Sequence, residues 1–384
     1  MNEPALPGPA RRARDPRLDV FRGLCLVMIF INHTPGTIFE HFTSRNFGFS
    51  DAAEGFVLMS GIAAGLAYAP ALSARLNWPG VARIWGRAWT LYSVHILSVA
   101  LCLAVVAAGI LWLDAAWLLD DGNNLRPIYE NTLRAQVGTV LMTHQIGYAN
   151  ILPLYAVLLL AAPFAIRLGW QRPGALLGLS IAVWAAAGLW RGTGAAWELN
   201  FPNWPNGGGW FFNPLSWQVL FVTGLLTGMA MRQGRRLVPV TGWLLAPAIA
   251  MLVFALVVEF WPAFSARVGH SLWLVQEAGV PWLLTAFDKT YVTGPRLFHI
   301  LALAYVLSAF PAIRRAAGSA VAAPFALLGR HSLPVFALGT VLAYAGQAIK
   351  GQPPAGLPMD SLVIGGGIVL MLLMALARDR LRLR

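Results

Sequence analysis

The sequence predicts an all-α, polytopic integral membrane protein of about ten transmembrane helices with both termini in the cytoplasm. Of its residues 58% are hydrophobic and only 11% charged, more apolar surface than a soluble domain of this length has to bury. The apolar residues also come in runs. A spanning helix takes about 20 of them, and ten segments satisfy that ruler: 18–34, 52–70, 89–113, 149–168, 174–190, 214–231, 240–260, 296–313, 322–345 and 360–377. With the N-terminus inside, nineteen of the 28 Lys and Arg fall in inner segments and eight in outer ones, the bias expected of cytoplasmic loops.

The first 14 residues, rich in Pro, Ala and Arg, read as a disordered basic cytoplasmic tail, and 15–384 as a single transmembrane domain. The first span carries charges within its apolar run, and no small-residue cleavage site follows it, so it is expected to stay on the chain. The second begins with Ser50 as a plausible N-cap and with Asp51 and Glu54 at the positive end of the helix dipole. Its Ser60, Gly61, Ala64 and Gly65 make a small face for close packing against a neighbour. Spans four and five are separated only by a tight turn from Arg167 to Pro173. The ninth is interrupted by Gly329, Arg330 and Pro334, which predicts a kink or a re-entrant break.

The formal charge of +12 does not indicate a nucleic-acid binder, because the arginines lie in short clusters between apolar spans rather than on one hydrated face. Cys25 and Cys102 sit inside apolar runs without metal-ligand spacing and read as small hydrophobic residues; no metal site is expected. Three outer segments, 114–148, 191–213 and 261–295, are longer than connections require and rich in Trp, Asn and Gly. Such segments can offer aromatic faces and amides to a sugar, although an interfacial aromatic belt explains the Trp residues equally well.

Polar groups inside a span are costly and point to function. The first span keeps Asp19 and Arg22 at its inner end and Asn32 and His33 at its outer end, beside Pro35 and Gly36, which end the helix. Eleven residues bring Arg22 and His33 to within about 20° of one helical face and about 16 Å apart. Asp19 and Arg22 are spaced to pair, which lowers the desolvation cost of each; anchoring of the helix end explains them as well as function does. His33 has a pKa range suited to a general base. The polar run that follows holds His41, Arg45, Asp51 and Glu54. Capping alone accounts for Asp51. Glu54, one turn deeper, is a carboxylate able to orient the imidazole of His33 or His41.

The run RLDVFRGLCLVMIFINHTPG, followed by FGFSDAAEGFVLMSGIAAGLAY, resembles the OpgC-type membrane proteins, and so do the pieces at 151–163, 212–224 and 328–339. The resemblance implies a ten-span acyltransferase related to the acyltransferase 3 group and, more distantly, to the lysosomal transferase that acetylates heparan glucosamine. It further implies succinylation of osmoregulated periplasmic glucans in a bacterial inner membrane. Arg22 matches the arginine of the first-helix motif and His33 the essential histidine of that group. In the lysosomal relative the catalytic histidine lies in the loop after the first helix, where this chain has His41. Gly329 to Leu333 resembles the Gly-x-x-Ser-Leu/Tyr region of a late helix. The wider group often has two adjacent histidines where this chain has Asn32 and His33.

The reaction these expectations describe is O-acyl transfer from cytosolic acyl-CoA to a hydroxyl of a glucan or other carbohydrate on the outer side. His33 or His41 removes the proton, Glu54 or Asp51 orients the imidazole, and Asn32 or Arg45 stabilises the oxyanion. Arg22, with Arg75, Arg83 and Arg87, holds the donor's phosphates; mere topological bias explains the three loop arginines, taken singly, slightly better. No permanently bound cofactor is expected, acyl-CoA being a substrate. The expected partners are the lipid bilayer, the two substrates and the glucan-synthesis machinery. A transporter or flippase for a glucan, a lipid-linked sugar or an organic acid is the rival reading. Asp19, Arg22 and His33 would then be coupling charges, and the interrupted ninth span a broken helix. No inverted repeat between the halves favours it. A membrane scaffold is the third reading, and it leaves the buried charges unexplained.

Overall fold

The computed structural model describes residues 15–120, 122–195, 197–351 and 356–381; the tail expected over 1–14 lies outside them. The described chain is all-helical. In order the helices are α1 Pro16–Asn32, α2 Ala52–Leu72, α3 Trp78–Leu113, α4 Arg126–Glu130, α5 Thr132–Val140, α6 Ile151–Gln171, α7 Pro173–Gly192 and α8 Pro214–Arg232. They continue with α9 Gly242–Phe260, α10 Pro262–Glu277, α11 Trp282–Thr285, α12 Gly294–Ala309, α13 Pro311–Ala317, α14 Ala323–Arg330, α15 Ser332–Lys350 and α16 Leu357–Arg380.

Among the described residues eight helices are long and apolar enough to cross a membrane: α2, α3, α6, α7, α8, α9, α15 and α16. A ninth span is made if α12 and α13 count as one, although they meet at 83°. That bend falls at Pro311, which has no N–H to continue the ladder. The first of the ten expected segments is α1, whose 17 residues fall short of the about 20 that a span takes. The interruption expected near Gly329 is also present, since α14 ends at Arg330 and α15 begins at Ser332.

Small residues decide which helices touch closely. A Cβ on Gly61 or Gly65 of α2 would collide with the backbone carbonyls of Phe221 and Leu225 on α8; one on Gly224 or Gly228 of α8 would strike the carbonyls of Leu58 and Ile62. The two helices thus interlock by glycines from both sides, as close-packed membrane helices do. The same device joins α1 to α14, where Gly23 faces the Phe325 carbonyl and Gly329 that of Asp19. In consequence α8 is mostly buried and α9 almost wholly exposed, which puts α8 at the centre of the bundle and α9 at its rim. Cys25 and Cys102 are free and buried.

Candidate active site

Local sequence fixes the entry to α2. Asp51 accepts a hydrogen bond from the Ala53 amide (2.8 Å), and Glu54 accepts one from the Asp51 amide (3.0 Å), a reciprocal capping box. Both carboxylates then turn to basic residues far along the chain. Glu54, fully buried, meets the Arg296 guanidinium at 2.5 Å, and Asp51 meets Lys289 at 2.5 Å and Arg296 at 3.7 Å. Burial opposes the charge on Asp51, but Lys289 and then Arg296 hold its carboxyl below the usual carboxylate range. Just before the cap, Ser50 Oγ lies 2.7 Å from His299 Nδ1, and Gly48 lets the chain pass against that ring where a Cβ would collide.

The residues expected to act together are only partly brought together. His33 caps the C-terminus of α1, packs against Tyr148 with the rings tilted by 33° and their centroids 4.4 Å apart, and lies within electrostatic reach of Lys289 and Asp51. Its backbone carbonyl accepts from Gln347 at 2.6 Å. Asn32 Oδ1 accepts the Thr43 hydroxyl at 2.7 Å, so that oxygen is committed to the following loop. His41 and Arg45 lie exposed on short 3-10 turns. Glu54 was expected to orient an imidazole; instead its carboxylate serves the cap and Arg296.

Two cavities lie near this cluster. One, about 340 Å³ and called the outer cavity after the three long segments expected on the outer side, is lined from all three: Asn124 and Gln145 from the first, Arg191, Glu198, Asn203, Trp210 and Phe211 from the second, Asp288, Thr290 and Tyr291 from the third. Gln145 Oε1, Asn203 Oδ1 and Trp210 Nε1 are buried there without hydrogen-bond partners among the described residues. Arg191 and Glu198 are 3.7 Å apart, and burial with the Glu198 charge pushes the Tyr291 phenol up. Lys289, between two lining residues, sits 5.9 Å and 5.8 Å from the ring centres of Phe211 and Phe212 and so links the cavity to Asp51.

The inner cavity, also about 340 Å³, is enclosed by α1, α2, α3, α6 and α15. Arg22 and Arg87 line it with Ser60, Tyr68, Tyr155 and Ser332, above a floor of Phe56, Leu91, Leu152 and Phe336. Arg22 also donates to the Met59 carbonyl at 3.2 Å. Arg83 lies over the Tyr68 ring at 5.6 Å, whereas Arg75 is exposed in the turn after α2 and is not part of the lining. Asp19 is buried, its carbonyl against Gly329. His331 lines neither cavity and lies 3.2 Å from Asp379. Among the described residues no group of His, Cys, Asp and Glu is arranged to hold a metal ion.

Sequence reasoning missed Lys289, Arg296, His299 and Tyr148. Arg296 was open to discovery, because it opens an expected span and a charge there calls for a partner. Nothing local marks Tyr148 or His299 as neighbours of the first two helices.

The sequence profile of the OpgC protein family matches residues 14–383, and the chain belongs to that family. No curated protein and no solved structure matches it.

Proposed function

From membership of the OpgC family, which is associated with succinylation of periplasmic glucans, we propose that this multi-pass membrane protein is an O-acyltransferase. It takes a succinyl or other short acyl group from cytosolic acyl-CoA and delivers it to hydroxyls of a periplasmic glucan or other extracytoplasmic carbohydrate. The membrane is the bacterial inner membrane, with both termini in the cytoplasm. The observation that carries this reading is the pair of cavities with complementary chemistry. Guanidinium groups of Arg22 and Arg87 line one, suited to phosphates; amide and aromatic groups with unmet hydrogen-bonding capacity line the other, suited to a sugar.

The first helix links the two ends. Arg22 binds the donor's phosphates, with Arg87 beside it and Arg83 at the rim. His33, held against Tyr148, takes the proton of the attacking hydroxyl as the oxygen–carbon bond forms at the thioester, and the carbon–sulfur bond then breaks to release CoA. His33 is preferred to His41 because it packs against Tyr148 within electrostatic reach of Asp51 and Lys289, while His41 is exposed on a loop. Asp51, Glu54, Lys289 and Arg296 act by fixing the start of α2.

The test uses purified protein in detergent, given acetyl- or succinyl-CoA and a glucan, with free CoA and acylated glucan measured. Both products are expected. The 83° bend between α12 and α13 is the observation on the side of a transporter. If neither product forms while reconstituted vesicles carry intact glucan across the bilayer, that reading replaces this one.

A further inference from the structure

His95 lies in the middle of α3, fully buried, in a stretch that the mechanism above does not use. Neither of its ring nitrogens has a well-formed hydrogen bond to any described residue. Leaving polar atoms in that condition is costly, so they are rare and ask for an explanation. The backbone of Ala149 is close enough to the ring to interact with it.

Its position supplies one. Arg87, Leu91 and His95 stand on successive turns of α3, and the first two line the inner cavity, so His95 occupies the next turn outward. Across from it, the start of α6 touches every part of the site. Tyr148 packs against His33, Ala149 faces His95, Asn150 lines the outer cavity and Leu152 the inner one. Ala149 precedes the first turn of α6, and Pro153, four residues on, has no N–H to offer its carbonyl. An imidazole N–H aimed at that carbonyl leaves the other nitrogen as a bare acceptor, because the bond made by one ring nitrogen sets the tautomer of the other.

The geometry points to His95 as a binding residue for the pantetheine arm of the acyl-CoA donor, accepting a hydrogen bond from the arm's last amide N–H before the sulfur. The inference rests on the acyl-CoA reading and assigns a residue to it. Lengths agree with it. Eight residues of helix put His95 about 12 Å beyond Arg87, and eleven put His33 about 16 Å beyond Arg22. An extended pantetheine arm carries its second amide nitrogen on the order of 12 Å from the phosphate, and its sulfur about 4 Å further. With phosphates at the arginines, the amide arrives at His95 and the thioester at His33. No covalent bond changes at His95, which orients the donor.

The experiment compares binding of two ligands, acetyl-CoA and its analogue N-methylated at that amide, to the full-length wild-type, His95→Leu and His95→Gln proteins in detergent. Gln retains a carbonyl acceptor. His95→Leu should weaken acetyl-CoA about ten- to a hundredfold and the N-methyl analogue less than about twofold, while His95→Gln should bind acetyl-CoA closer to wild type. Equal losses for both ligands would make His95 a packing residue and overturn the assignment, as would no loss for either. Wild type that binds neither ligand overturns both this assignment and the donor reading. Binding that depends on His95 in a protein that acylates no glucan leaves the assignment standing and overturns only acyl transfer.

Discussion

The two cavities have the same volume, about 340 Å³, and opposite chemistry. The outer one carries charges of both signs that answer one another, Arg191 with Glu198 at its wall and Lys289 with Asp51 at its edge. The inner one has two guanidinium groups and no carboxylate among its lining residues. Paired charges hold a wall in place and present little net field, which suits a neutral polyhydroxylated ligand approached through amides and rings. Two guanidinium groups in one lining offer the planar donor forks that phosphate oxygens take. The difference teaches that the charges most visible in this sequence divide into two kinds, those that build the site and those that bind.

The largest effect should come from the proposed base. His33→Ala is expected to lower the turnover of CoA release about 10²- to 10⁴-fold with acyl-CoA affinity unchanged, and His41→Ala to stay within about threefold. The reverse pattern would move the base to the loop. Next comes the structural group. Glu54→Ala leaves the largely buried Arg296 guanidinium with only the more distant Asp51 carboxylate, at 3.7 Å, and loss of one partner of a buried pair costs up to about 3–5 kcal/mol. Its melting temperature in detergent should therefore fall steeply, and a melting curve that matches wild type would show that the network builds nothing.

The binding charges should behave differently. Arg22→Ala is expected to raise the Kd for acyl-CoA about ten- to a hundredfold, from the loss of a charged hydrogen bond, whereas Arg75→Ala, off the cavity lining, should leave it within about twofold. Equal effects would erase the distinction between cavity and loop. The smallest effect belongs to the outer wall. Trp210→Phe removes the unpartnered Nε1 donor but keeps an aromatic ring, and should weaken glucan binding about two- to tenfold without changing CoA affinity.

How much of this was legible in the chain depended on distance along it. The capping box at Asp51 and Glu54 is a contact between residues three apart, and the sequence there announces a helix start, although it offers Ser50 as the cap where the structure uses Asp51. The partner of Glu54, Arg296, lies 242 residues away, and no pattern in α2 can point to it. The small face of α2 was readable from Gly61 and Gly65, but not that Gly224 and Gly228 would answer it from α8, because a glycine pair specifies close approach and not with whom. The break near Arg330 followed from local chemistry, while the one at Pro311 went unread, because the apolar ruler that ran 296–313 as one span has no sense of the 83° bend there. The three long outer segments were recognisable as material for sugar contact. Their convergence on one cavity was not. His95 was overlooked for a different reason: it sits in an apolar run as His33 does, and the reasoning that singled out one applies to the other.

The central claim is that donor and acceptor meet from opposite faces of the membrane through the first helix. The most direct measurement uses sealed vesicles holding the protein in one orientation, with acyl-CoA only on the face that bears Arg22 and Arg87 and labelled glucan only on the other. Acylated glucan on the far side, matched by free CoA on the near side, is the predicted result. Product formed only when both substrates share a face, or glucan recovered unmodified on the CoA side, would contradict it.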